Sequence, residues 1–172
     1  DQGRIVRFLE KPSWGEAFSD TINTGIYILE PSAVGMIPNK TNFDFSQNLF
    51  PLMLSKQMGL FGRIMEGYWR DVGNVDEYHR VHIDLFERKL DLGLPFDRQE
   101  REKAVVFTGR NVTIHPDVHL TGTIILNDDV TLESGVALHN CSVGKRSFIG
   151  TGCRFVNSVI WEDCVIDAES TM

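Results

Sequence analysis

Five residues among the first 71 are of types that could serve a ligand site: Glu10, Lys11, Asn23, Gly25 and Asp71. Glu10 offers carboxylate oxygens to hydroxyl donors, and Lys11 a compact positive charge that suits phosphate. In an extended run the two point to opposite sides, so both reach one ligand only where the strand ends and Pro12 turns the chain. The same neighbours equally suit a surface ion pair at a strand end. Asn23 can both donate to and accept from hydroxyls. Gly25, lacking a side chain, either admits a ring close to the backbone or marks a strand bulge. Asp71 stands between Gly67 and Gly73, which let a loop approach a ligand closely, and Trp69 is expected to pack that loop.

The elements that must position these residues are of mixed type. Gly3 to Pro12 and Thr21 to Leu29 read as strands, each stopped by a proline. From Asp44 to Ser55, Phe45, Leu49, Leu52 and Met53 keep helical spacing behind Asp44 or Ser46 as a cap. Leu60 to Met65 reads as extended. Asn74 followed by Glu77 caps a helix running to about Leu90, with Val75, Tyr78, Val81, Leu85 and Leu90 on or near one face. Residues 91–110 lose periodicity, and 93–111 is expected to join two units.

From Val112 onward aliphatic residues come in pairs two apart, and the pairs recur every six: Val112/Ile114, Val118/Leu120, Ile124/Leu126, Val130/Leu132 and Val136/Leu138. One-residue slips continue the series as Cys141/Val143, Ser147/Ile149, Cys153/Phe155, Ser158/Ile160 and Cys164/Ile166. A period of six fits neither a helix nor a hairpin ladder; it fits a parallel β-helix whose stacked coils share one core. All three cysteines take the inward position that Val or Ile holds elsewhere, so they read as apolar filler rather than as nucleophiles. With no CxxC pair, neither a zinc site nor a disulfide frame is expected. Polar stretches such as Asn127-Asp128-Asp129 and Gly144-Lys145-Arg146-Ser147 read as solvated corners. His79 and His82 lie three apart with no third ligand in reach by spacing. His115, His119 and His139 read as corner residues, with a general base for acyl transfer as the other reading.

Four motifs in order carry a family resemblance: Phe8-Leu9-Glu10-Lys11-Pro12; Ile22-Asn23-Thr24-Gly25-Ile26-Tyr27; Phe43-Asp44-Phe45-Ser46 with Leu49-Phe50-Pro51; and Gly67-Tyr68-Trp69-Arg70-Asp71-Val72-Gly73. Together they resemble the second half of sugar-1-phosphate nucleotidyltransferases, the mannose-1-phosphate guanylyltransferases above all, over residues 3–92. The hexads resemble the repeats of left-handed β-helices, the usual appended domain of such enzymes. The resemblance implies an α/β fold class: an incomplete nucleotidyltransferase domain with a Rossmann-like mixed sheet over 1–92, a linker over 93–111 and a left-handed parallel β-helix over 112–172. It implies nucleotidyl transfer from a nucleoside triphosphate, GTP by closest likeness, to a sugar 1-phosphate, with mannose 1-phosphate the nearest case. It assigns Glu10, Lys11, Asn23 and Gly25 to the sugar phosphate and Asp71 to magnesium. Such a cation offsets the repulsion between two polyanions and takes only one or two carboxylates from protein.

The family's Gly-rich loop with Arg and Lys, which holds the triphosphate, has no counterpart before Glu10. The chain is therefore expected to be the sugar-phosphate part of a longer protein, inactive by itself. A net charge of −7 and the lack of clustered Lys/Arg argue against nucleic-acid binding. No apolar run reaches membrane-spanning length. A cytoplasmic protein that forms homo-oligomers through the β-helix is expected. Two other classes compete: a non-catalytic regulatory or scaffold subunit of the same family, and a hexapeptide acyltransferase. The four upstream motifs speak against the second.

Overall fold

A computed structural model describes residues 3–8 and 21–172. The chain divides into two compact units, one running to Gly67 and the other spanning Tyr68–Met172.

In the first unit, α1 (Pro31–Val34) starts at a proline whose fixed φ suits a first helical turn. A π-helical turn (Phe45–Leu49) runs directly into α2 (Phe50–Ser55). Asp44 caps the turn, its Oδ1 accepting from Gln47 N at 2.7 Å. Leu49, Phe50, Met53 and Ala33 form the buried centre, with Phe8, Leu29, Phe43 and Phe45 packed around it. Residues 3–8 and the expected extended stretch near Leu60 meet as a short antiparallel contact: Arg4 bridges Phe61, and Ile5 N donates to Leu60 O at 2.8 Å. The run Thr21 to Leu29, read as a strand, forms no β-ladder among the described residues. An Asx turn at Asn23 and a left-handed Gly25 (φ +76°) interrupt it.

The second unit opens with a segment outside any helix or strand and then α3 (Val75–Phe86), capped by Asn74 Oδ1 accepting from Glu77 N at 2.8 Å. Asp76 and Glu77 in the first turn complement the helix dipole. The helix ends at Phe86, one turn earlier than its spacing suggests, and Val75 is exposed. Its inner face is instead Tyr78, His82 and Phe86, four residues apart.

The remainder is a parallel β-solenoid. Strands β1 (Asp97–Glu100), β2 (Ala104–Thr108), β4 (His119–Leu126), β6 (Ala137–Val143) and β8 (Arg154–Ile160) form one mixed sheet, with only β1 antiparallel. Strands β3 (Thr113–Ile114), β5 (Thr131–Leu132), β7 (Phe148–Ile149) and β9 (Val165–Ile166) form a second, wholly parallel sheet. Thr113 pairs with Thr131, Thr131 with Phe148 and Phe148 with Val165, so each coil takes 17 or 18 residues, or three hexads. Three turns per coil follow from the backbone. One corner stacks left-handed Asn111, Asp129, Arg146 and Asp163 (φ 55–60°), a second stacks Gly122, Asn140 and Asn157, and a third stacks Gly135, Gly152 and Glu169.

Every inward pair of the six-residue pattern lies in or against this core. Ile124, Leu126, Val130, Leu132, Val136, Leu138, Cys141, Val143, Ile149, Cys153, Phe155 and Ile160 are buried; Val112, Ile114, Val118, Leu120, Cys164 and Ile166 pack against them. Each fully buried aliphatic is worth about 1.5–3 kcal/mol relative to exposure. The core also takes in Ala104 and Val106, inside the segment read as a linker. From Ala104/Val106 to Val112/Ile114 the step is eight rather than six, which hides the first coil from the periodicity.

Candidate functional site

The second and third motifs meet in the first unit. Asn23 Oδ1 accepts from Gly25 N at 3.0 Å, which closes an Asx turn and holds Gly25 in the left-handed region that suits glycine. Nothing lies within 4 Å of where a Gly25 side chain would start, so the turn faces open space. The Asn23 Nδ2 group donates to Tyr27 Oη at 2.7 Å and to Ser46 Oγ at 3.3 Å. Beneath it the Tyr27 ring stands edge-on to Phe45 and Phe50, with centroids 5.4 and 5.1 Å away. Ser46 is placed by the π turn that Asp44 caps. The result is an exposed polar ledge on an aromatic base. The second lone pair of Asn23 Oδ1, the hydroxyls of Tyr27 and Ser46 and the open backbone at Gly25 can all address ligand hydroxyls. Tyr27 and Ser46 lie inside quoted motifs without an assigned role, because a partner 23 residues away is invisible to local pattern. Glu10 and Lys11 lie outside the described residues.

Asp71 belongs to the second unit and is exposed. Its neighbours explain its aim. Tyr68 and Arg70 both reach onto α3. Tyr68 Oη donates to Asp84 Oδ2 at 2.8 Å. Arg70 donates to Glu77 Oε2 at 2.8 Å, to Asp84 Oδ2 at 3.0 Å and, through Nε, to Tyr68 Oη at 3.2 Å. Lys89 Nζ reaches Asp84 Oδ1 at 3.1 Å. The Glu77 carboxylate, then the Tyr68 hydroxyl, push the Arg70 guanidinium further up. The Tyr68 hydroxyl and Lys89 hold the buried Asp84 carboxyl below its usual range. Trp69, expected to pack this loop, is 46% exposed. Asp71 makes no hydrogen bond or ion pair among the described residues.

A free carboxylate of this kind fits magnesium as a single protein ligand, leaving the other positions for water and phosphate oxygens. Among the described residues no group of three or more His, Cys, Asp or Glu could hold a metal. Four of the five histidines are tied into structure. His79 Nε2 lies 2.7 Å from Asn157 O, His82 Nδ1 lies 2.9 Å from Tyr78 O, and His139 Nδ1 lies 2.9 Å from Thr121 Oγ1. His115 pairs with Asp117. Burial pushes the Cys141 thiol up, which suits an inert core position.

The chain is 32% identical over 165 residues to UTP--glucose-1-phosphate uridylyltransferase of Synechocystis sp., covering 94% of this chain and 42% of that protein. It is 29% identical over 174 residues to glucose-1-phosphate adenylyltransferase of Desulfitobacterium hafniense, again 94% and 42%. With mannose-1-phosphate guanylyltransferase of Mycobacterium tuberculosis it shares 27% identity over 169 residues, 98% and 41%. The chain thus spans about two fifths of the length of these relatives. The family model described as nucleotidyl transferase matches residues 1–88, half of the 172, and takes in all four motifs. With the motifs, the Asn23 ledge and the free Asp71 carboxylate all inside that match, the chain belongs to the nucleotidyl transferase family.

Proposed function

We propose that the protein transfers a nucleotidyl group from a nucleoside triphosphate to a sugar 1-phosphate, releasing pyrophosphate, and that this chain supplies the sugar-phosphate side of the site. A phosphate oxygen of the sugar 1-phosphate attacks the α-phosphorus, and the bond from that phosphorus to the pyrophosphate oxygen breaks. Asp71 would hold one side of a magnesium ion. Bound there, the ion would offset charge between the two polyanions. Asn23, braced by Tyr27 and Ser46, orients sugar hydroxyls, and Gly25 lets the sugar ring approach the backbone. Glu10 and Lys11 are assigned to a sugar hydroxyl and the phosphate by the motif alone. The observation that carries this reading is the free, outward Asp71 carboxylate beside an Arg70 whose charge is fully engaged by other acids.

For the substrate pair we propose GTP and mannose 1-phosphate, on the likeness of the four motifs. Relatives named for glucose 1-phosphate with UTP or ATP set the competing pairs. Pyrophosphate release by the full-length protein, measured across GTP, UTP and ATP against mannose and glucose 1-phosphates with magnesium, decides the matter. The highest kcat/KM is expected for the guanylyl and mannosyl pair; a glucosyl pair in its place overturns that assignment, and no release with any pair overturns the reaction. Self-association through the solenoid and a cytoplasmic location belong to the same proposal. No helix among the described residues is long and apolar enough to cross a membrane.

A further inference from the structure

We propose that Arg70 is a positioning residue for Asp71, fixing the metal-binding carboxylate by clamping its own chain segment to α3. The inference rests on the assignment of Asp71 to magnesium. Among the described residues the backbone of 68–73 makes no hydrogen bond, so no ladder or helix holds this segment in place. Side chains do that instead. The Arg70 guanidinium spans two turns of α3, taking Glu77 in the first turn and Asp84 further along. Its Nε also meets the Tyr68 hydroxyl, which itself donates to Asp84, so residues 68 and 70 are pinned to one anchor.

The anchor is firm. Asp84 is 6% exposed and takes a further cation, Lys89, on its other oxygen. The helix is tied to the solenoid, where Thr123 Oγ1 donates to Phe86 O at 2.7 Å and His79 Nε2 lies 2.7 Å from Asn157 O. With residue 70 locked toward the helix, the neighbouring Asp71 carboxylate stays exposed and without a partner among the described residues. The planar fork of arginine is needed, because lysine presents one point charge and cannot meet Glu77, Asp84 and Tyr68 together.

The test uses the full-length protein titrated with Mn2+, a carboxylate-seeking stand-in for Mg2+, with bound ion read by electron paramagnetic resonance. Groups that orient a metal ligand typically alter affinity by 10–100-fold, so Arg70→Lys is expected to weaken Mn2+ binding about tenfold. Asp84 keeps Tyr68 and Lys89 in that variant. Glu77→Gln, which keeps side-chain volume at a one-third exposed position, is expected to weaken binding in the same direction and serves if Arg70→Lys fails to fold. Asp71→Asn is the reference. If Asp71→Asn loses Mn2+ while Arg70→Lys and Glu77→Gln bind as wild type, the positioning role is overturned and the metal assignment stands. If Asp71→Asn binds as wild type, the metal assignment itself fails and takes this inference with it.

Discussion

Asp117 gathers three donors at one solenoid corner: the Ser134 hydroxyl at 2.8 Å, the Gly135 amide at 3.1 Å and the His115 ring. The Ser134 hydroxyl first, then the Gly135 amide and His115, pull its carboxyl down to about 2. A carboxyl depressed from 3.8 stabilises the fold at pH above its unfolded value, and that contribution disappears as pH falls through about 2. Between pH about 4 and about 2 the wild type should therefore lose stability more steeply than Asp117→Asn in thermal melts. Equal slopes would contradict the account. The same scale shows what local pattern can convey. Asn23 and Gly25 could be singled out because an amide and a missing side chain are visible in the letters. Tyr27, Ser46 and Arg70 acquire their roles from contacts that form only after folding. Asp84 was hidden because a charged residue within a helix reads as solvated, whereas here it is buried among Tyr68, Arg70 and Lys89.

At the scale of elements, the solenoid was legible and the first unit only partly so. Stacked coils repeat one environment every 17 or 18 residues, so each inward position votes for the same period. The stretch Thr21 to Leu29 has β-prone residues, yet its Asx turn satisfies locally what a ladder would have satisfied at a distance. Corner composition was legible as polar, but its reason is conformational. Left-handed backbone recurs at each corner, and Asn, Asp and Gly tolerate it best. Side chains then bridge the coils, as Asn111 does to Asp129, Asn140 to Asn157 and Arg146 to Asp163. Gly144 answers a different demand. A side chain there would collide with backbone of Trp161 and Glu162 on the next coil, and backbone cannot swing aside as a flexible side chain can. Gly144→Ala should cost about 1–3 kcal/mol, the usual range for overpacking, read as a lower denaturant midpoint. A midpoint equal to wild type would show that the coils have slack at this corner.

Across the whole molecule, two boundaries fall in different places. The family match ends at residue 88, whereas the second compact unit begins at Tyr68. The segment between carries Asp71 and α3, so the proposed metal ligand belongs by descent to the nucleotidyl transferase domain and by packing to the solenoid unit. The motifs end and the periodicity pauses before the hexads, which points to a joint at 93–111; strands β1 and β2 occupy that stretch. The repeat could not announce its first coil through a step of eight, nor could four motifs reveal that the helix following the last of them would pack within the solenoid unit. The enzyme assignment turns on whether Asp71 takes part in a magnesium-dependent transfer. The direct measurement is pyrophosphate release by full-length Asp71→Ala at saturating nucleoside triphosphate, sugar 1-phosphate and magnesium. The account predicts a loss of about a hundredfold or more in kcat, the scale on which removing one charge-stabilising group acts. Wild-type turnover by Asp71→Ala at saturating magnesium would contradict it.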